Sequence, residues 1–189
     1  ATPFTMYLVK DRLSEFGLLD SVELRDVPLK GSFSLGPFDF DMITLTHSIP
    51  EPNALVIKTA LGTVLHTGDW KIDPSPQIGE PVDEQALREL GKAGVTAMIC
   101  DSTNVFTPGE AGSEEGVREE LEKVIREYKG AGVAVAAFAS NVARLESVMM
   151  AAKENDRSVC LVGRSMKRMV GAAKSVGLLK DIGALLSEE

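Results

Sequence analysis

Gly132-Val133-Ala134-Val135-Ala136-Ala137-Phe138-Ala139-Ser140-Asn141 is a run of small, β-branched and apolar residues that stops at a polar pair. Its composition predicts a buried strand over 132–138. The residues that follow change period: 142–154 reads as a helix, 158–162 as a second apolar strand, and 165–175 as a second helix, entered through Gly163-Arg164-Ser165. A strand, a helix and a strand in succession imply two parallel strands joined by a crossover, so this stretch predicts an α/β fold.

The same alternation extends upstream as far as Thr107-Pro108-Gly109, a chain breaker. Ser113 is placed to cap a helix, with Glu114 and Glu115 in the first turn where carboxylates favour the dipole. Val117, Leu121, Val124, Ile125 and Tyr128 recur at helical spacing, and Gly130 ends the run. A boundary at about 107 divides the chain into residues 1–106 and 107–189.

The first part reads differently. Thr2 and Pro3 suit the start of a helix over 4–16. Short strands are predicted at 22–27, 31–35 and 38–46, with Gly36-Pro37 turning between the last two. A hairpin is predicted over 54–59 and 62–67 around Ala60-Leu61-Gly62. A proline-rich connection over 74–81, a helix over 83–92 and a strand over 95–100 ending in Asp101 complete it.

Of the 189 residues, 44% are hydrophobic and 25% charged, the balance of an ordinary globular α/β protein. The net charge is −8, which excludes general phosphate binding by bulk charge; any nucleic acid must be met at a local site. No apolar run reaches the roughly 20 residues a membrane span requires, so no membrane partner is expected. Cys100 and Cys160 show no metal-binding spacing and predict two buried free thiols in a reducing cytoplasm. Ala1-Thr2-Pro3-Phe4 lacks an initiator methionine and a signal peptide, and reads as the start of an internal piece of a longer protein.

The only two histidines lie beside strand ends: His47 after Thr46, and His66 before Thr67-Gly68-Asp69. Imidazole nitrogen and carboxylate oxygen on rigid strand ends suit a zinc-class cation, and a carboxylate can bridge two metals in a hydrolase. On spacing alone, a hydrogen-bonded edge histidine and a turn aspartate explain His47 and Asp69 more economically.

The surrounding words add to this. Thr46-His47-Ser48-Ile49-Pro50, His66-Thr67-Gly68-Asp69, Asp101-Ser102-Thr103-Asn104, Phe138-Ala139-Ser140-Asn141 and Gly163-Arg164-Ser165-Met166 come in one order across nearly the whole chain. Together they resemble the ribonuclease J-like proteins of the β-CASP metallo-β-lactamase family. The resemblance implies the C-terminal part of a metallo-β-lactamase αββα sandwich, followed by the first part of a parallel α/β β-CASP domain. It implies that His47 and Asp69 are metal ligands, Asp69 bridging two zinc ions, and that Asp69 and Asp101 serve catalysis. It implies RNA as substrate, cleaved by 5′-3′ exonuclease and endonuclease action, and leaves room for a homo-oligomer at full length. His66 matches a family position without a ligand role. The family's H-x-H-x-D-H motif and its later histidines do not occur here. The sequence therefore predicts an incomplete two-zinc site and a chain inactive by itself. A DNA-directed nuclease and a non-catalytic RNA-binding or assembly module are the alternatives.

The two βα loops carry a reading of their own. In a parallel sheet both would lie at the carboxyl edge, each with a helix N-terminus facing outward. Ser140, Asn141, Arg164 and Ser165 are then candidates to hold an RNA phosphate, with Arg144, Lys167 and Arg168 adding positive charge. The same residues also read as plain helix caps. Trp70 and the pair Met149-Met150 read as packing residues.

Overall fold

The structure, a computed structural model, describes residues 1–180 and 182–188. It divides into two compact units. The first comprises Ala1–His47, Glu51–Pro74 and Glu80–Ala111; the second comprises Ser48–Pro50, Ser75–Gly79 and Gly112–Glu189.

The first unit opens with α1 (Pro3–Glu15), whose first-turn proline has no N–H to waste. Thr2 stands at the cap position but makes no side-chain cap bond. The Glu51 carboxylate takes that role, accepting the Phe4 N–H at 2.9 Å. Next come β1 (Ser32–Leu35), β2 (Phe38–Thr44), β3 (Asn53–Thr59) and β4 (Gly62–His66), then α2 (Glu84–Ala93) and β5 (Ala97–Ile99). They form one sheet in the order β1-β2-β3-β4-β5. The first three pairings are antiparallel, and β4–β5 is parallel. The strand expected over 22–27 does not form; the segment only exchanges two backbone hydrogen bonds with Ala1.

Alternation along the strands sends Ile43, Leu45, Ala54, Val56 and Leu65 into one core. Against it pack Val82, Ala86, Leu87, Leu90 and Val95, the apolar side of α2 and its flanks. Gly62 has a local necessity: its φ is +141°, and a Cβ there would lie 2.2 Å from the Thr96 hydroxyl oxygen. Only glycine lets Thr96 approach closely enough for the Thr96 N–H to reach Thr63 O at 2.8 Å and start β5 beside β4.

The second unit contains α3 (Glu114–Glu127), α4 (Val142–Lys153), β6 (Val159–Cys160), α5 (Arg164–Ser175) and β7 (Leu185–Leu186). Ser113 caps α3 as its sequence predicts, accepting the Gly116 N–H. Helices α3 and α4 meet through charge: Arg144 makes two hydrogen bonds to Glu114, and Arg118 reaches Ser147 and Glu146. Val142, Leu145, Met149, Val170, Ala172, Ala173 and Leu179 are buried, which places Met149 in the core.

The strand expected over 132–138 is not formed. Strand β6 pairs in parallel with β7, a two-residue strand the sequence reading left unassigned. Residues 132–138 form no ladder with β6, although both segments line one cavity. An open cavity of about 630 Å³ lies among Val133, Val135, Ala137, Leu145, Met149 and Leu161. The cysteines also differ from expectation: both are free, but Cys100 is half-buried and Cys160 exposed. Among the described residues, no helix is long and apolar enough to cross a membrane. The fold is a mixed α/β one with parallel and antiparallel strand pairs.

Candidate functional site

Strand direction decides where the first unit carries its chemistry. Strand β3 is antiparallel to both β2 and β4, so β2 and β4 run the same way; β5 is parallel to β4 and joins them. His47 lies three residues beyond β2, Asp69 three beyond β4 and Asp101 two beyond β5. All three thus leave the sheet at the same edge. Sequence spacing suggests this for His47 and Asp69; the parallel arrival of β5 brings Asp101 to them.

Hydrogen bonds join the three loops. On one flank Thr46 pairs with Lys71: the Lys71 N–H donates to Thr46 O at 2.9 Å, and the Thr46 hydroxyl donates to Lys71 O at 2.6 Å. The Asp73 N–H then donates to the same hydroxyl oxygen at 3.0 Å. On the other flank the Thr67 N–H donates to Ile99 O, the Asp101 N–H donates to the Thr67 hydroxyl, and the Trp70 indole N–H donates to Asp101 O. Asp69 therefore sits on a short loop fixed at both ends.

The electrostatics are also local. The Asp101 carboxyl lies below the usual carboxylate range, first because of the Thr103 hydroxyl and then the Thr103 N–H. The nearby His47 charge adds to this against a desolvation cost. The Thr103 contacts measure 2.6 and 2.9 Å to the same oxygen. His47 is half-buried, whereas His66 and Asp69 are exposed. His66 Nδ1 accepts the Gly68 N–H at 3.1 Å, which commits that nitrogen to shaping the loop and leaves Nε2 alone for other partners. Lys71 pairs at 3.2 Å with Asp73, whose side chain is 1% exposed.

Imidazole and carboxylate are suitable donor types for zinc, but a catalytic zinc takes three protein ligands. Among the described residues, no three His, Cys, Asp or Glu side chains converge where they could hold a metal ion. As they stand, these residues do not close a zinc site.

In the second unit, Asn141 caps α4 by accepting the Arg144 N–H at 2.9 Å, and its amide nitrogen lies 3.5 Å from Glu114. Arg144 is neutralised by Glu114. Arg164 and Ser165 are exposed at the start of α5, and Ser140 is half-buried. Lys167 pairs with Glu188 at 2.7 Å, and the Glu188 carboxylate also accepts the Gly163 N–H at 3.1 Å. A carboxylate of the chain thus occupies the entrance to α5, and Lys167 and that N–H hold it below its usual pKa. Among the described residues, no strand pairing links the two βα loops, since 132–138 forms no strand beside β6.

Sequence reasoning missed Thr46, Thr67, Thr103, the Lys71–Asp73 pair and Glu188. The signal for Thr46 and Thr67 was faint: each stands immediately beside a histidine, but its cross-loop partners are 25 to 34 positions away, whereas Thr103 lies two residues from its partner Asp101.

Residues 131–188 match the family model for the β-CASP domain of ribonuclease J. Ribonuclease J of Sinorhizobium meliloti is 41% identical over 189 residues, covering 100% of this chain and 33% of that protein. Ribonuclease J of Mycolicibacterium smegmatis is 42% identical over 177 residues, 94% of this chain and 31% of that protein. That of Thermus thermophilus is 37% identical over 178 residues. The chain therefore spans about a third of the length of these relatives. A crystal structure of a protein of unknown function from Enterococcus faecalis shares the fold, with a TM-score of 0.66 at 16% identity over 95% of this chain and 44% of that one. With relatives over its whole length and the domain match in its second unit, this chain belongs to the ribonuclease J family of β-CASP proteins.

Proposed function

We propose that the chain supplies part of the reaction centre of a zinc-dependent ribonuclease that cleaves RNA phosphodiester bonds by 5′-3′ exonucleolytic and endonucleolytic action. The observation that carries this reading is the delivery of His47, Asp69 and Asp101 to one sheet edge by three strands running the same way. His47 and Asp69 would contribute metal ligands, and the remaining donors would come from residues outside this stretch. Two divalent cations, when bound, would supply Lewis-acid activation of water and of the phosphoryl group. The chain's own contribution is positional. The loop from Thr67 to Lys71 presents Asp69 to solvent, and Thr103 holds the Asp101 carboxylate in place at the same edge. Arg164 and Ser165, exposed at the start of α5, are proposed with Ser140 and Asn141 to meet the RNA backbone.

The test is cleavage of a 5′-monophosphorylated RNA with zinc or manganese added. In the protein at the full length of its relatives, Asp69→Ala loses at least about a hundredfold in turnover while RNA binding stays within a few-fold. The 189-residue chain alone shows no turnover. Near wild-type cleavage by Asp69→Ala would rule out the role given to Asp69. Loss of RNA binding together with cleavage would point to a binding role instead, and cleavage confined to DNA would redirect the substrate assignment.

A further inference from the structure

Two buried threonines join the site's loops, and both hydroxyls are committed to main chain. Thr67 is 9% exposed. Its hydroxyl donates to Gly68 O at 2.8 Å and accepts the Asp101 N–H at 3.2 Å, while its own N–H donates to Ile99 O at 3.0 Å. One side chain thereby links the loop carrying Asp69 to the loop carrying Asp101. Thr46 is 4% exposed and on the opposite flank ties the strand exit carrying His47 to the far end of the Asp69 loop, donating to Lys71 O and accepting the Asp73 N–H. Asp69 lies between the two anchors, Gly68 on one side and Lys71 on the other.

A hydroxyl that donates once and accepts once, both times to backbone, fixes a separation and an orientation together. A methyl in its place would leave the partly buried Asp101 N–H, or the buried Asp73 N–H, without its partner and release the loop. The geometry points to Thr67, seconded by Thr46, as a positioning residue for phosphodiester cleavage: it sets the placement of Asp69 relative to Asp101 and touches neither substrate nor metal. This inference rests on the functional reading given above for those two carboxylates. A β-branched residue at a strand exit could also serve shape alone, and valine separates the two roles because it keeps the branching while removing the hydroxyl.

At the full length of the relatives, Thr67→Val lowers kcat on 5′-monophosphorylated RNA by about tenfold or more, in keeping with the cost of small misplacements at reacting centres. KM changes by less than about threefold, and Thr67→Ser restores most of the loss. The 189-residue chain offers a readout that needs neither metal nor activity. Trp70 is its single tryptophan, and the indole donates to Asp101 O. Its emission shifts to the red in Thr67→Val, as the Asp101 loop loosens, and stays in place in Thr67→Ser. Equal kcat in the valine and serine variants, or an unmoved Trp70 emission in Thr67→Val, overturns the proposal. An Asp69→Asn protein that still cleaves overturns the underlying site reading instead, whatever Thr67 does. Should Thr67→Val not fold, Thr46→Val against Thr46→Ser carries the same kinetic and fluorescence comparison.

Discussion

Asp83 shows how one side chain outside the site supports it. It accepts the Ala86 N–H at 3.0 Å and so caps α2, the helix that covers the core beneath the site-bearing strands. That bond, opposed by desolvation and aided by Lys30, holds its carboxyl below the usual range. Removing such a cap costs ~1 kcal/mol. Because the folded pKa is depressed, the contribution is complete above the unfolded value of about 3.9 and disappears as pH falls through the lower folded value. Asp83→Ala is therefore expected to lower stability at pH 7 and to match the parent once pH is below the folded pKa; chemical denaturation at the two pH values measures this. At this scale the sequence showed its chemistry unevenly. His47 and Asp69 stand out as reactive residue types at strand ends, whereas Asp101 drew attention only through the family resemblance. Thr46, Thr67, Glu51 and Glu188 are ordinary residues whose roles come from partners distant in sequence, such as Glu51 at the start of α1 or Glu188 at the start of α5.

Among the elements, helices and hairpins were the most legible. The spacing of apolar residues in 113–128 and the turns at Gly36-Pro37 and Ala60-Leu61 depend on local geometry alone, and α3 and the β1–β4 meander follow from them. The segment 132–138 was not legible, because apolar composition qualifies residues for a strand but only a neighbouring backbone makes one. Here no ladder forms: β6 pairs only with β7 among the described strands, and Val133 and Val135 remain 38% and 36% exposed. Amide protons of 133–137 are expected to exchange far faster than those of 55–58, which are paired on both sides. Hydrogen exchange read by mass spectrometry or NMR checks this, and comparable protection in the two segments would mean that 132–138 is paired in solution.

For the molecule as a whole, the mixed α/β character could be read from the alternation of periods. The grouping of Ser48–Pro50 and Ser75–Gly79 with the second unit could not, since it follows from proximity in space and not from local composition. The parallel pairing of β5 with β4 has a further consequence, in time rather than space. Strands β1 to β4 close through tight turns, so their contacts are near-neighbour ones and form quickly. Strand β5 must wait for residues 67–96 to cross over and for α2 to dock, a longer loop with a higher closure entropy. Asp101 is thus the last of the three residues to arrive, and the meander exists before the site does. Pulse-labelled refolding should protect the β3 amides before those of Ala97–Ile99, and simultaneous protection would contradict that order. A chain emerging from the ribosome would then hold a formed hairpin scaffold while its carboxylates were still apart, so that acquisition of reactivity is deferred until the crossover is complete.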